Sequence, residues 1–205
     1  HGGAVYVVYK TNEDKTRTGA VLNATGTLFE GNSALGGGAL SVRSDCTANL
    51  DGAVLTANTV EGYADKNDGD GEGGGAIYVG YGSLNMTNVT ATGNKSSDFG
   101  GAVNAVGSVV TVNGGSFKNN ESKTGGAVNA ITNSDVTVNN ATFEGNSATG
   151  EGGAVYVGKG TTKLTMTDTV FKANTATGKG GALSTATSSP NLVINATGCA
   201  FEGNT

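Results

Sequence analysis

The densest set of potential cation-binding side chains lies in an acidic run between residues 61 and 73. Asp68, Asp70 and Glu72 alternate with glycine there, and carboxylate oxygens on a loop suit Ca²⁺. The spacing is not that of an EF-hand, because the twelfth position counted from Asp68 is Val79 instead of glutamate. We favour a solvated acidic loop and keep a weak calcium site as the alternative. No other cofactor is indicated.

Carboxylates that could support polysaccharide cleavage are scattered along the chain. Such enzymes need two carboxylates at a fixed separation, or a metal with a basic residue. The only histidine is His1 and the only arginines are Arg17 and Arg43. We therefore expect no enzymatic activity. A carbohydrate-active protein is the competing class, and three or more charged side chains converging in one groove would favour it.

Three tyrosines occupy equivalent places in short apolar–polar–apolar segments. Tyr6, Tyr78 and Tyr156 each stand between two aliphatic residues, and this alternation predicts strands in which the middle residue points outward. Tyrosine on an outward face suits contact with carbohydrate or protein, although it also suits an ordinary solvated face. We keep these residues as possible recognition residues.

The composition excludes several kinds of protein before any element is assigned. The 205 residues include 36 glycines but one proline, and the net charge is −5. Collagen needs abundant proline, and binding to nucleic acid or anionic lipid needs clustered Lys and Arg. No apolar run is long enough to span a bilayer. We expect no nucleic-acid partner and no membrane insertion.

Two motifs alternate along the whole sequence and show that it is a repeat protein. The triplet Gly-Gly-Ala begins at Gly2, Gly37, Gly74, Gly100, Gly125, Gly152 and Gly180. The second motif is an apolar residue followed three positions later by asparagine, at Asn32, Asn58, Asn94, Asn120, Asn146, Asn174 and Asn204. Each repeat is too short to bury its own apolar face, so successive repeats must stack.

Within each repeat the apolar pattern has a period of two, which indicates β-strands and no helix. We expect two or three short strands per repeat, and stacking then gives an all-β, right-handed parallel β-helix of about seven coils. Residues 1–205 form one domain, with insertions at 10–18 and 61–73 that project from the rod. The glycines allow tight corners, and the repeated asparagines form a hydrogen-bonded ladder at one corner.

The residue after the apolar position of the second motif should form an outward column. Its members are Glu30, Thr56, Thr92, Lys118, Glu144, Lys172 and Glu202. Charges of opposite sign then alternate along the last four coils, and such cross-strand pairs stabilise a sheet modestly. This column assigns its three glutamates, Glu30, Glu144 and Glu202, to structure instead of catalysis.

The motifs resemble those of a known family. Alternating Gly-Gly-Ala-(Ile/Val/Leu) and Phe-x-x-Asn is similar to the repeat of the chlamydial polymorphic membrane proteins and of related adhesin-like surface proteins. The resemblance covers the chain from Gly2 to Asn204. It implies a β-helix that is exported to the cell surface and serves in adhesion to a host or cell-surface protein or glycan.

The cysteines and the two ends of the chain complete the sequence-based expectations. Cys199 takes a position filled by small residues in other repeats, so we expect a buried free thiol, five coils from Cys46. Neither end carries a recognisable cap, and the motif expected after Asn204 is the one with which the chain starts. Head-to-tail stacking into an extracellular filament is therefore predicted, with a window of a longer repeat protein as the alternative.

Overall fold

The computed structural model describes residues 1–62, 73–158, 160, 163–186 and 192–205. In these residues the chain is all-β and winds as a parallel β-solenoid of about six turns. Four sheets run along the rod, and a separate two-stranded hairpin lies beside its first coil. The predicted β-helix architecture is confirmed.

We name the four sheets A to D in chain order; sheets A, B and C each contain seven strands, and sheet D contains six. Sheet A contains Val5–Val7, Leu40–Val42, Ile77–Gly80, Val103–Val106, Val128–Ile131, Val155–Gly158 and Leu183–Thr185. Sheet B contains Val21–Thr25, Thr47–Asp51, Ser83–Thr87, Val109–Asn113, Asp135–Asn139, Lys163–Thr167 and Val193–Thr197. Sheet C contains Leu28–Glu30, Val54–Thr56, Thr90–Thr92, Ser116–Lys118, Thr142–Glu144, Val170–Lys172 and Ala200–Glu202. Sheet D contains Ser33–Ala34, Thr59–Val60, Lys95–Ser96, Glu121–Ser122, Ser147–Ala148 and Thr175–Ala176.

The coils stack in one register, so that equivalent residues pair. Val110 of sheet B lies beside Val136, and Phe117 of sheet C lies beside Phe143. The sequence predicted the strands of sheets A and B and underestimated the number of strands per coil. The strands of sheets C and D have three and two residues, which is too short for an alternating pattern to stand out.

The core is a continuous column of inward side chains from sheets A, B and C. Its largest members are Phe117, Phe143 and Phe171, all fully buried. Their rings stack with centroids 4.8 and 5.0 Å apart, and Phe171 stacks in turn on Phe201 at 4.9 Å. Stacking of equivalent residues thus turns one apolar position per repeat into a long aromatic ridge.

The Gly-Gly-Ala corner requires glycine for two different reasons. Gly125 has φ of 66°, a left-handed conformation that side chains disfavour. Gly126 has no room for a side chain, because a Cβ there would overlap the carbonyl oxygen of Gly153 on the next coil. The excess of glycine in the sequence is therefore partly a packing requirement of stacked corners.

The insertion at 10–18 forms an antiparallel hairpin, Lys10–Thr11 with Arg17–Thr18, between the first strands of sheets A and B. Tyr9 enters it and packs against the hydrophobic core, and the Arg17 guanidinium lies 4.3 Å from the Tyr9 ring centroid. The strand residues of the hairpin are exposed, as expected for an insertion that projects from the rod.

Candidate binding surfaces

The asparagine ladder is the most regular polar feature of the rod, and it is as predicted. Asn120 is representative: its Oδ1 accepts from the backbone N–H and the Nδ2 of Asn94, both at 3.0 Å. Its own backbone N–H and Nδ2 donate to Asn146 Oδ1 at 3.0 and 2.9 Å. The second amide hydrogen reaches Ala91 O at 3.0 Å.

The same hydrogen bonds between side-chain amides link all seven repeated asparagines. The ladder runs through Asn32, Asn58, Asn94, Asn120, Asn146, Asn174 and Asn204. The five middle members are fully buried. Their amides are consumed by one another and by backbone carbonyls, so the ladder is a structural device and offers no atoms to a ligand.

The predicted outward column of sheet C is also present in the strand register. Lys118 Nζ lies 2.9 Å from Glu144 Oε2. The hydrogen bond from Lys118, its charge and the charge of Lys172 together hold the pKa of Glu144 below its usual value. A second pair, Lys95 with Glu121 at 3.0 Å, joins two strands of sheet D. Glu144 and Glu121 therefore each form an ion pair with a lysine of the preceding coil and do not pair with each other.

Replacing Lys118 with methionine is expected to lower stability slightly at neutral pH, because Glu144 loses its hydrogen-bond donor. A depressed pKa contributes stability above the unfolded pKa, and this contribution disappears as pH falls through the folded pKa. Urea midpoints of the variant and the parent should therefore converge in acid. Lys10→Met, on the hairpin, is the control and should show no such convergence.

The outer face of sheet A differs from the expectation at Tyr78, which is 3% exposed. The strand that contains Tyr78 has four residues, so its fourth residue points outward on the same side as its second residue, Tyr78. On the next two strands of sheet A, the fourth residue is Val106 or Ile131. Both residues form a small apolar cluster with Tyr78 on the outer face, and Tyr156 packs against this cluster. Tyr6 is exposed at the first coil.

Polar residues are buried on this face as well. Asn129 Nδ2 donates to Asn104 Oδ1 at 2.7 Å, and both residues are fully buried. Burial, together with the negative charge of Glu151, raises the pKa of Tyr156. The recognition role of the three tyrosines stays a prediction, and Tyr78 is the one whose burial speaks against it.

The outer face of sheet B is open to solvent along its described length and carries two columns of hydrogen-bonding side chains. The middle column is Asn23, Asn49, Asn85, Thr111, Thr137, Thr165 and Asn195. The fifth-position column is Thr25, Asp51, Thr87, Asn113, Asn139, Thr167 and Thr197. Asp51 is the one charged member. We name this surface the Asn/Thr face.

Hydrogen bonds between coils hold several of these amides in place. Asn85 Nδ2 donates to Asn49 Oδ1, and Asn49 Nδ2 to Asn23 Oδ1, both at 2.8 Å. Asn139 Nδ2 donates to Asn113 Oδ1 at 2.9 Å. Sequence reasoning did not single out this face, although the recurrence of Asn or Thr at one strand position was a usable signal.

The candidate calcium ligands Asp68, Asp70 and Glu72 lie outside the residues that the structure describes. Within the described part of the chain, no three His, Cys, Asp or Glu side chains cluster as metal ligands would. Both cysteines are free: Cys46 is buried, and Cys199 is half-buried against the end of the core. The described residues include no helix able to cross a bilayer.

The stacked sheets, the glycine corners and the asparagine ladder define a parallel β-solenoid repeat protein. Two of its segments, residues 140–158 and 168–186, match the family model described as the Chlamydia polymorphic membrane protein repeat. Each segment runs from a corner of sheet B through its sheet C strand and ladder asparagine to sheet A. The resemblance inferred from the motifs is confirmed for these segments. No curated protein and no solved structure matches the chain.

Proposed function

We propose that this chain is a non-enzymatic, adhesin-like β-helix segment that acts at the cell surface. The observation that carries the proposal is the match of two repeats to a family of bacterial polymorphic membrane proteins, on a fold built from those repeats. That resemblance supports both a surface location and a role in adhesion. A stiff rod with long uninterrupted sheets is suited to presenting a binding face away from a cell.

The arrangement of charged residues supports a role without catalysis. Glycoside cleavage requires an acid and a second carboxylate on opposite sides of one bond. Glu144 and Glu121 instead sit in outward columns, each paired with a lysine on the preceding coil. Both pairs are half-exposed, and solvent screening favours a modest stabilising role for them.

The Asn/Thr face is the surface we assign to adhesive contact. It offers amide and hydroxyl groups that both donate and accept, which suits the hydroxyl groups of a cell-surface glycan. Its rows repeat every ~4.8 Å along the rod, so many weak contacts can act together on an extended ligand. The interlocked amides of Asn49 and Asn85 reduce the entropy lost when a ligand binds.

The test is binding of chain-coated beads to a printed array of cell-surface glycans and to intact cells. Thr137→Arg places a long charged side chain at the centre of the Asn/Thr face and should reduce binding several-fold. Thr56→Arg is the control, because it makes the same change on sheet C.

An equal loss of binding in Thr137→Arg and Thr56→Arg would contradict the assignment of adhesion to the Asn/Thr face. Absence of binding by the parent chain would contradict a role in adhesion. Release of reducing sugar from a glycan would instead establish the carbohydrate-active alternative.

A second candidate function is head-to-tail self-association into a filament. It is supported by the single register in which the coils of the rod pair, because equivalent coils that stack within one chain are suited to stacking between chains. Sedimentation velocity at increasing concentration tests it, and a parent chain that stays monomeric would contradict it.

A further inference from the structure

Tyr81 occupies a corner of the backbone that tyrosine disfavours. The corner joins sheet A to sheet B, and Tyr81 is left-handed there, with φ of 55°. The equivalent corner residues of three other coils, matched by the hydrogen bonds between coils, are Asp45, Gly107 and Asn133, with φ of 63, 58 and 62°. Glycine, asparagine and aspartate enter this conformation most readily, whereas a bulky side chain enters it at a cost in conformational energy. The tyrosine of the third coil therefore has to be explained by what its ring does.

The ring of Tyr81 contributes little to the packing of the rod. Tyr81 is 49% exposed and belongs to neither apolar cluster of the described residues. Its ring lies against Gly107 on the next coil, where a Cβ would overlap the ring carbons Cδ1 and Cε1. The missing side chain at Gly107 thus leaves the space that the ring occupies. The two corners together hold an aromatic ring in a defined place at the surface.

A second exposed apolar side chain borders this ring. Val109 begins the sheet B strand of the fourth coil and is 51% exposed. Only Ser108 separates it from Gly107, so the Cα atoms of Gly107 and Val109 are at most ~7.6 Å apart. Tyr81 and Val109 therefore form an apolar surface at the edge of the Asn/Thr face, which we name the Tyr81 platform.

Two amides of the Asn/Thr face, on the same two coils as the Tyr81 platform, are held by residues of other coils. Asn85 Nδ2 donates to Asn49 Oδ1 at 2.8 Å, which occupies one of the two N–H groups of Asn85. Asn113 Oδ1 accepts from Asn139 Nδ2 at 2.9 Å, which fixes the Asn113 amide through its oxygen. Both Asn85 and Asn113 are exposed. The surface beside the platform thus presents oriented hydrogen-bonding groups to a ligand.

The charges around the Tyr81 platform favour an uncharged ligand. The sheet B strands Ser83–Thr87 and Val109–Asn113 contain no charged side chain. Asp51 and Asp135 stand on the two strands that flank them, one on each side. Both flanking charges are negative, so an anionic ligand that lay across these strands would be repelled. A neutral ligand meets no such penalty.

We propose that the Tyr81 platform and the adjoining amides of Asn85 and Asn113 bind neutral sugar residues of a cell-surface glycan. One face of a hexopyranose ring carries mainly C–H bonds, which pack on an aromatic ring, while its hydroxyl groups both donate and accept hydrogen bonds. Apolar and aromatic side chains with a few placed polar groups are the usual composition of a small-ligand site. This inference rests on the assignment of adhesive contact to the Asn/Thr face, and it names the ligand class.

Tyr81→Asn is the variant that tests the proposal, because asparagine removes the ring and suits the left-handed backbone. Biolayer interferometry of the full chain measures binding to immobilised neutral tetrasaccharides of glucose, galactose and N-acetylglucosamine, and to a sulfated heparin tetrasaccharide. Tyr81→Asn should weaken binding to the neutral glycan that the parent prefers by roughly tenfold. Its urea midpoint should be unchanged or higher, whereas loss of a merely structural side chain would lower the midpoint.

Two further variants separate the ring from other effects. Tyr81→Phe keeps the ring and should retain most of the affinity for the neutral glycan. Leu35→Asn is the matched control, because Leu35 is 51% exposed and follows the sheet D strand Ser33–Ala34, outside the Asn/Thr face. This control should bind as the parent does, and a loss of binding equal to that of Tyr81→Asn would refute the site.

The outcomes distinguish this site from the broader assignment of the face. If Thr137→Arg abolished glycan binding and Tyr81→Asn did not, adhesion through the Asn/Thr face would stand and the Tyr81 platform would be overturned. A preference of the parent for the sulfated tetrasaccharide would also overturn it. If the parent bound intact cells but none of the glycans, the ligand would be a protein and the inference would be wrong. Absence of binding to cells and to every glycan would overturn both proposals.

Discussion

Asn120→Ala is expected to lower the free energy of unfolding by about 4 kcal/mol, since each buried polar group left unpaired costs ~1–3 kcal/mol. The substitution removes an oxygen that accepts two hydrogen bonds from Asn94 and an amide that donates to Asn146 and to Ala91 O. The backbone N–H of Asn94 is buried and loses its acceptor. Water cannot replace these partners without opening the corner.

The measurement is urea unfolding followed by circular dichroism. Asn119→Gly is the matched control: Asn119 is adjacent in sequence, is exposed, and has φ of 52°, which glycine accepts readily. It should change stability by less than ~0.5 kcal/mol. If Asn120→Ala changed the midpoint no more than this control, the ladder would have no energetic role.

Asn120→Asp gives the same test a pH dependence. The carboxylate keeps the acceptor for Asn94 but loses both donors, and burial raises the pKa of such a carboxyl group. A raised folded pKa means that the acid form is favoured in the folded state. The stability deficit of this variant should therefore shrink as pH falls, because protonation restores one donor toward Asn146. A deficit that grows in acid would contradict this account.

The ladder shows what repeat spacing can predict. Seven asparagines at equivalent positions can only stack if the coils stack, so the sequence predicts both the fold and the partners of Asn120. The column that pairs Lys118 with Glu144 followed from the same logic and is confirmed. Spacing predicts register, and register determines every contact between equivalent positions.

Contacts between inequivalent positions were not predictable in this way. Tyr78 is buried because Val106 and Ile131 lie beside it on the same face, and the sequence did not reveal that the strand extends to this fourth residue. Tyr9 packs against the core where the chain enters the hairpin, which the length of an insertion does not disclose. Both cases involve an interaction that occurs once, without a repeat to reveal it.

Phe143→Ala is expected to destabilise the rod by ~3–5 kcal/mol, the usual range for removing a buried aromatic side chain. Phe143 is fully buried, and its ring lies between those of Phe117 and Phe171, at 4.8 and 5.0 Å. Phe201→Ala is the matched comparison, because this residue occupies the same column, is 50% exposed and, among the described residues, stacks on Phe171 alone. The loss of stability in Phe201→Ala should be less than half as large as in Phe143→Ala.

A coil in the same rod indicates how the defect can be repaired. In the third coil the equivalent of Phe143 is Ala91, and the equivalent of Val138 is Met86. Both Ala91 and Met86 are buried, and the sixth coil places a methionine, Met166, at the same position beside the larger Phe171. Methionine is flexible enough to fill such irregular space.

The double variant Val138→Met, Phe143→Ala copies this pairing and should recover ~1–2 kcal/mol of the loss, as expected for refilling part of a cavity. Val138→Met alone should cost less than ~1.5 kcal/mol, because the sixth coil holds Met166 together with the full-sized Phe171. Urea unfolding of the four chains gives the coupling free energy directly. If the two changes in unfolding free energy were strictly additive, the side chains at positions 138 and 143 would not fill a shared space. Other residues of the coil would then compensate for the size of each side chain.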